Sequence, residues 1–373
     1  MSATSEWTTV LVEARRVAAD IAGLLGIEVD AATMLAGRAA LLGLTRRGRI
    51  SAGGATRLLR TVDGWCAVAL PRDDDVAALP ALMEVDSITG DPWAVLSRWA
   101  ATHSTDELVD RARLLDIALA ALGEAVAEPP IVRRCGTSAG PRRADGLLVA
   151  DLSSLWAGPL CGQLLARAGA VVVKVESPSR PDGTRRGEPA FCDWMNAGKL
   201  SYCVDFESES DALHRLLDVA DIVIEGSRPA ALRRRGLSAE DLVGRPGRIW
   251  LRISGYRDEP DRPAFGDDAA VAGGLVGATA DGPVFCGDAI ADPLSGLEAA
   301  RAVGESLRRG GGEVVEVSMA QVAARYAALT HSPDSDAPAE SPTLPPAAPP
   351  ASPLGADNAA VELLVSERLC APC

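Results

Sequence analysis

The chain has 373 residues, 47% of them hydrophobic, enough for more than one packed unit. Its formal net charge of −14 speaks against nucleic acid or an anionic membrane as the main partner. No apolar run approaches the ~20 residues of a membrane span, and the start MSATSEWTTVLVEARR lacks a signal-peptide layout, so a cytoplasmic location is expected. The eight cysteines are scattered and read as reduced core thiols. Cys370 and Cys373 form a lone CxxC without a second ligand pair, which reads as a disordered tail rather than a zinc site.

Residues 7–45 carry two helical stripes: Val10, Val17, Ile21, Leu24 and Leu25, then Met34, Leu35, Ala39, Leu42 and Leu44. Residues 56–70 read as a β-hairpin turning at Asp63-Gly64. Helices are predicted at about 74–83, 92–102 and 105–115. Asp91 and Pro92 open the second, and a capping box from Ser104 to Glu107 opens the third. The Pro-, Gly- and Arg-rich stretch 125–146 reads as a linker.

Residues 147–178 read as strand, tight turn, helix, strand. Pro159 suits a first helical turn, Leu160, Leu164, Leu165 and Ala168 recur at helical spacing, and Gly169 is a stop. Residues 171–175 are a β-branched run suited to a parallel strand buried on both faces. Further strands are expected at 201–205, 221–225, 249–254, 283–286 and 313–317. Helices are expected at about 208–219, 238–243 and 291–308, with another after 318. This alternation predicts an α/β fold, a Rossmann-like doubly wound parallel sheet as the large domain beside a smaller α+β domain. The expected division is a small domain at 1–124, a linker at 125–146, the large domain at 147–330, a Pro-rich linker at 331–355 and a tail at 356–373.

Ligands of such sheets sit beyond the carboxyl ends of the strands. That rule selects 155–159, 176–177, 225–228, 255–256 and 287–292. Asp292, just before Pro293, reads as a helix N-cap and equally as a carboxylate at the ligand edge; Asp288 is a competitor. There is no GxGxxG after the first strand and no GxSxG elbow, which argues against nicotinamide-dependent redox and serine-hydrolase chemistry. The histidines are His103, His214 and His331. The first two read as surface helix residues, and His331 precedes the Pro-rich stretch.

Several stretches carry a family resemblance. DLSSLWAGPLCGQLLARAGAVVVKVESP resembles the opening of the class III CoA-transferases, the CaiB/BaiF family. NAGKLSYCVDF at 196–206 resembles that family's NRGKRSVALDL, and DIVIEGSRPAALRRRGL at 221–237 resembles its DVVVENFRPGVLERLGL. RISGY, IADPLSG and GGGEVVEVSM follow in the family's order, so the clear resemblance covers 147–325. RTVDGWCAVAL, DPWAVLSRW and THSTDELVDRARLLDIALAAL are similar to the family's small domain, which here precedes the large one. SPLGADNAAVELL weakly resembles its terminal segment.

The resemblance implies an enzyme that moves CoA between carboxylic acids, with Asp292 at the position of the nucleophilic aspartate. It implies CoA contacts at Trp156, Ala157, Val204, Asp205, Phe206, Gly226, Ser227, Arg228 and Arg234. It also implies a homodimer, and no tightly bound cofactor or metal, with acyl-CoA and a carboxylic acid as substrates. Backbone amides near Gly287, Gly296 or 157–158 are candidate oxyanion donors. Trp156 and Ser177 stand where some members place a polar and a basic CoA contact, Gly226 replaces an Asn, and 310–312 reads as a turn rather than a mobile glycine flap. Two alternatives stay open. An α-methylacyl-CoA racemase would need a His near FGDD (265–268), where none occurs from 215 to 330. A catalytically silent acyl-CoA-binding subunit is the other.

Overall fold

A computed structural model of the chain describes residues 3–226, 228–242, 245–329 and 343–370. Two helices come first, α1 (Ala3–Leu25) and α2 (Ala31–Leu42). The antiparallel hairpin β1 (Thr56–Arg60) and β2 (Trp65–Ala69) follows, then α3 (Asp73–Ala77), α4 (Leu79–Met83), α5 (Pro92–Ala100) and α6 (Thr105–Leu114). β3 (Ala118–Ala121) completes a three-stranded sheet. At the hairpin turn the Gly64 N–H donates to Thr61 Oγ1 at 2.9 Å. Asp91 caps α5 by accepting from the Trp93 and Ala94 N–H groups. Ser104 caps α6, but the Glu107 carboxylate, expected to reach back, accepts from Arg111 at 3.0 Å.

The second unit is built on β4 (Ile131–Arg134), β5 (Leu148–Asp151), β6 (Val171–Glu176), β7 (Leu200–Cys203), β8 (Ile222–Glu225), β9 (Ile249–Ser254) and β12 (Glu313–Ser318). They form one seven-stranded sheet in the order β4-β12-β9-β8-β5-β6-β7, parallel except for β4. Its helices are α7 (Ala157–Arg167), α8 (Pro189–Asn196), α9 (Ser210–Val219), α10 (Pro229–Arg233), α11 (Gly266–Ala272), α12 (Ala291–Arg309), α13 (Met319–Ala327) and α14 (Asn358–Cys370). β10 (Val276–Thr279) and β11 (Gly282–Phe285) make a separate antiparallel ribbon.

The strand period of two divides the apolar residues between two cores. Val149, Val172, Ile222, Ile224 and Leu251 face α1, α7 and α12. Leu148, Val173, Val175, Val223 and Trp250 face α9 and α14. Both faces are covered, so these strands are apolar on both sides. The mixed α/β architecture expected from the alternation is therefore present.

Several boundaries differ from expectation. Residues 1–124 do not form one small unit: Val10, Ala14, Val17 and Ile21 of α1 and Met34 and Leu35 of α2 are buried in the same core as α7 and α12. The stretch 125–146 includes β4, which pairs with the free edge of β12. The strand at 283–286 does not extend the parallel sheet, because β11 folds back on β10. No helix forms over the described residues 238–242, where Asp241 accepts from both the N–H and the hydroxyl of Ser238 and closes a turn instead. The expected disordered tail is α14, whose Val361 and Val365 are buried; Cys373 and His331 lie outside the described residues. At the first residue of α14, the side chain of Asn358 bonds both the N–H and the carbonyl of Cys203 and covers the edge strand β7. The turn at 310–312 is confirmed. Gly310, Gly311 and Gly312 have φ of 92°, 64° and 72°, and a Cβ on Gly311 would lie 2.1 Å from the Gly247 carbonyl oxygen.

Candidate active site

Because β5 to β9 run parallel, the segments that leave them share one edge of the sheet. The turn 152–156 leaves β5 there. It is held by buried charge. Lys174 of β6 lies 3.0 Å from Asp182, and the Asp182 carboxylate accepts from the Leu155 N–H at 3.2 Å. Burial opposes the Lys174 charge, but the Asp151, Asp182 and Glu176 carboxylates hold the ammonium above its ordinary value. Leu155 has φ of 70°, a costly conformation for a branched side chain. That turn delivers Trp156 to the start of α7.

α12 crosses α7 at Gly296. A Cβ there would lie 2.8 Å from both the Ala157 carbonyl oxygen and Leu160. The close approach brings the first turn of α12 beside Trp156 and Ala157. Asp292 is not the N-cap: α12 begins at Ala291, and the Asp292 N–H donates to the carbonyl of Ala289, itself at φ 43°. Its side chain is thus released from capping and keeps partial exposure.

Around Asp292 stand three groups that the sequence reading did not assign. Gly266, opening α11, sets its backbone against the Asp292 carboxylate, where its N–H favours the charged form, and a Cβ at that position would come within 2.5 Å of Asp292 Oδ2. Asp267 accepts from the Ala289 N–H at 2.9 Å. Arg38 of α2 donates to Asp288 at 2.6 Å, with its guanidinium 5.7 Å from the Trp156 ring and 5.5 Å from Phe191. Phe191 meets Trp156 edge-on at 5.4 Å. Surrounding protein raises Asp292 to about 7, with Asp267 and Asp288 adding repulsion and Arg38 opposing it. Desolvation, then the charge of Asp288, brings Asp267 to about 6. The indole N–H of Trp156 is buried without an acceptor among the described residues.

The other expected contacts fall at two places on the same edge. Val204 is buried behind β7, and Asp205 closes an exposed turn by accepting from the N–H groups of Glu207 and Ser208. Phe206 and Arg234 line one cleft of about 400 Å³ together with Glu207, Ser210 and Arg235. Arg235 is engaged with Glu207 at 3.0 Å, whereas Arg234 is exposed and makes no ion pair with a described residue. Gly226 packs on the 152–156 turn, where a Cβ would meet that of Ser153 at 2.8 Å. Arg228 is paired with Asp116 of the first unit at 2.8 Å. Ser227 lies outside the described residues.

Other strand-end acids are committed to structure: Glu176 to Arg185, and Glu225 to Trp250 and Arg252. Of the expected oxyanion donors, Gly296 is buried in helix packing and Gly158 is crowded by Ser153. His103 stacks on Trp99 and His214 pairs with Asp218, so neither is free to serve Asp292 as a partner base. Arg38 escaped the sequence reading because it lies in a helix that carries no motif. The Asp267-Asp268 pair was visible, but only as the place where a histidine was missing.

These motifs have known counterparts. The family model for CoA-transferase family III matches residues 145–356, more than half of the chain, and the chain belongs to that family. It is 34% identical over 199 residues to a succinyl-CoA–D-citramalate CoA-transferase of Chloroflexus aurantiacus, covering 48% of this chain and 50% of that one. It is 35% identical over 209 residues to a probable fatty acyl-CoA transferase of Mycobacterium tuberculosis, covering 50% and 53%. A crystal structure of a CaiB/BaiF family protein from Brucella suis aligns at 30% identity and a TM-score of 0.45, covering 48% and 54%. The chain spans about half the length of the curated relatives it matches. Among the described residues, no helix is long and apolar enough to cross a membrane.

Proposed function

We propose that the chain transfers CoA between carboxylic acids, with Asp292 as the nucleophile. The observation that carries this reading is the Asp292 carboxylate itself: partly exposed at the sheet's ligand edge, freed from capping, and met by the Gly266 N–H beside Trp156. The carboxylate attacks an acyl-CoA thioester, giving an aspartyl mixed anhydride and CoA thiolate. The thiolate then attacks the aspartyl carbonyl, releasing the first acid and leaving an aspartyl-CoA thioester. A second carboxylate attacks that thioester, and the displaced thiolate takes up the new acyl group from the resulting anhydride, which restores Asp292. The apolar wall of Trp156 and Phe191 keeps water from the anhydride.

Arg234 and Phe206 supply a cation and an apolar face in one cleft, which suits the phosphates and adenine of CoA. Trp156, Ala157, Val204, Asp205, Gly226, Ser227 and Arg228 are proposed as further contacts through their matching motif positions. A homodimer in the cytoplasm is part of the same reading. Light scattering of a fully active monomer would remove the dimer from it.

The test is intact-mass spectrometry of the full chain after incubation with acetyl-, succinyl-, glutaryl- and fatty acyl-CoA. A CoA adduct on Asp292, released by hydroxylamine, is expected. An adduct on another residue would overturn the mechanism, and none with any donor would favour a silent binding subunit.

A further inference from the structure

Arg38 lies on α2, outside the residues that the family model matches. Three carboxylates converge on it: Asp267 from the first turn of α11, Asp288 from the loop after β11, and Asp292 from the first turn of α12. Its charge acts on all three. It is held in place on two sides, by Asp288 at 2.6 Å and by the rings of Trp156 and Phe191. The second oxygen of Asp288 is buried without a partner among the described residues, so Asp288 depends on Arg38. Asp268, next in the chain to Asp267, is engaged by the Phe265 N–H and faces Arg262. From the cap and first residue of α7, the side chains packed in this core are the uncharged Trp156 and Ala157.

Resting on the reading of Asp292 as nucleophile, we propose that Arg38 is a positioning residue that clamps Asp288 and keeps Asp292 available as a carboxylate. Two like charges stand against ionisation of Asp292, and they are opposed by one cation and the Gly266 N–H. Without the cation, Asp292 holds its proton, and a protonated carboxyl does not attack a thioester. The part of the chain unmatched by the family model therefore sets the working pH of a site that lies within the matched part.

The experiment follows the rate of CoA-adduct formation against pH, by intact mass with the same four acyl-CoAs, for wild type, R38Q, R38K and D288N. Wild type should lose rate below a midpoint near 7. R38Q should move that midpoint up by about one pH unit, roughly a tenfold slower reaction at pH 6. R38K should restore most of the shift. D288N removes a like charge and should move the midpoint down. General damage would lower the rate at every pH without moving the midpoint, so opposite shifts identify electrostatics. An unmoved midpoint in R38Q, or an upward one in D288N, overturns the proposal while leaving the nucleophile assignment intact. If wild type forms no adduct on Asp292 at any pH, the nucleophile reading fails and the role of Arg38 falls with it. If R38Q does not fold, the direction of the D288N shift decides.

Discussion

The Lys199 ammonium stands 2.9 Å from Asp151 Oδ2 and 2.9 Å from the Pro159 carbonyl, with both side chains buried. This pair ties the end of β5 to the first turn of α7, and so fixes the turn that carries Trp156. Nothing larger than a hydrogen fits above it: a Cβ on Gly162 would come within 2.8 Å of Asp151 and 3.1 Å of Lys199. The lysine belongs to the NAGKLS stretch and the carboxylate to DLSS. These motif residues therefore hold the site's shape rather than touch its ligand. Lys199→Ala strips the buried Asp151 of its direct ion-pair partner and leaves Lys174 as the remaining cation acting on it, at a cost of up to about 3–5 kcal/mol. Urea unfolding measures it, and a loss below ~1 kcal/mol would contradict the role assigned to the pair.

Arg234 and Arg235 are neighbours with different duties. Arg235 is spent on Glu207 and the Ala231 carbonyl, whereas Arg234 faces the cleft beside Phe206. Arg234→Ala should weaken CoA binding by about 1.5–3 kcal/mol, the worth of a hydrogen bond to a charged phosphate oxygen. Arg235→Ala should change it less, and Arg228→Ala should lie between them because its exposed pair with Asp116 is worth little. Calorimetry with free CoA reads all three. Equal affinities for wild type and the Arg234 variant would remove this cleft from the site.

Where local chemistry decides structure, the sequence was legible. The β-branched runs became β6, β8 and β9, the Asp63-Gly64 turn closed its hairpin, and the glycine run at 310–312 made its turn. What failed depended on partners distant in sequence. α1 and α2 have ordinary amphipathic stripes, and nothing in them says which core they cover. β4 is a short, Arg-containing strand recruited by the free edge of β12. Asp292 was visible as a candidate, but its neighbours were not: Arg38 is 250 positions from Asp288, and tertiary packing brings them together.

Asp268 gives the fold a pH dependence that can be read separately. Burial raises its carboxyl from 3.8 to about 8, so the fold prefers the protonated form. The unfolded chain releases that proton near its ordinary value. Between about 4 and 8 the native state then binds more protons than the unfolded state, and stability falls as pH rises. Asp268→Asn keeps an acceptor for the Phe265 N–H and carries no charge. The variant should melt about 1–2 °C above wild type at pH 8.5 per kcal/mol recovered, and no higher at pH 4. Superimposable melting-temperature profiles from pH 4 to 8.5 would sink this account.

Asp292→Asn separates chemistry from folding. Asn keeps the size of the side chain and an oxygen to set against the Gly266 N–H, and position 292 does not cap α12. It removes a carboxyl that protein surroundings push to about 7, so the charge that is costly to hold at pH 8 disappears. Sites that hold an unfavourable group for function often gain stability when it is neutralised. The variant should therefore melt at or above the wild-type temperature at pH 8, with the gain shrinking as pH falls and vanishing by about pH 4, where the unfolded chain's Asp292 is protonated too. Its CoA affinity should stay near wild type, because Arg234 and Phe206 belong to a separate cleft. Its turnover should fall by on the order of 10³-fold or more, since an amide cannot form the anhydride. Stability retained, binding retained and turnover lost is the signature of a nucleophile. A variant that still turned over at the wild-type rate would remove Asp292 from the chemistry, whatever the family motif implies.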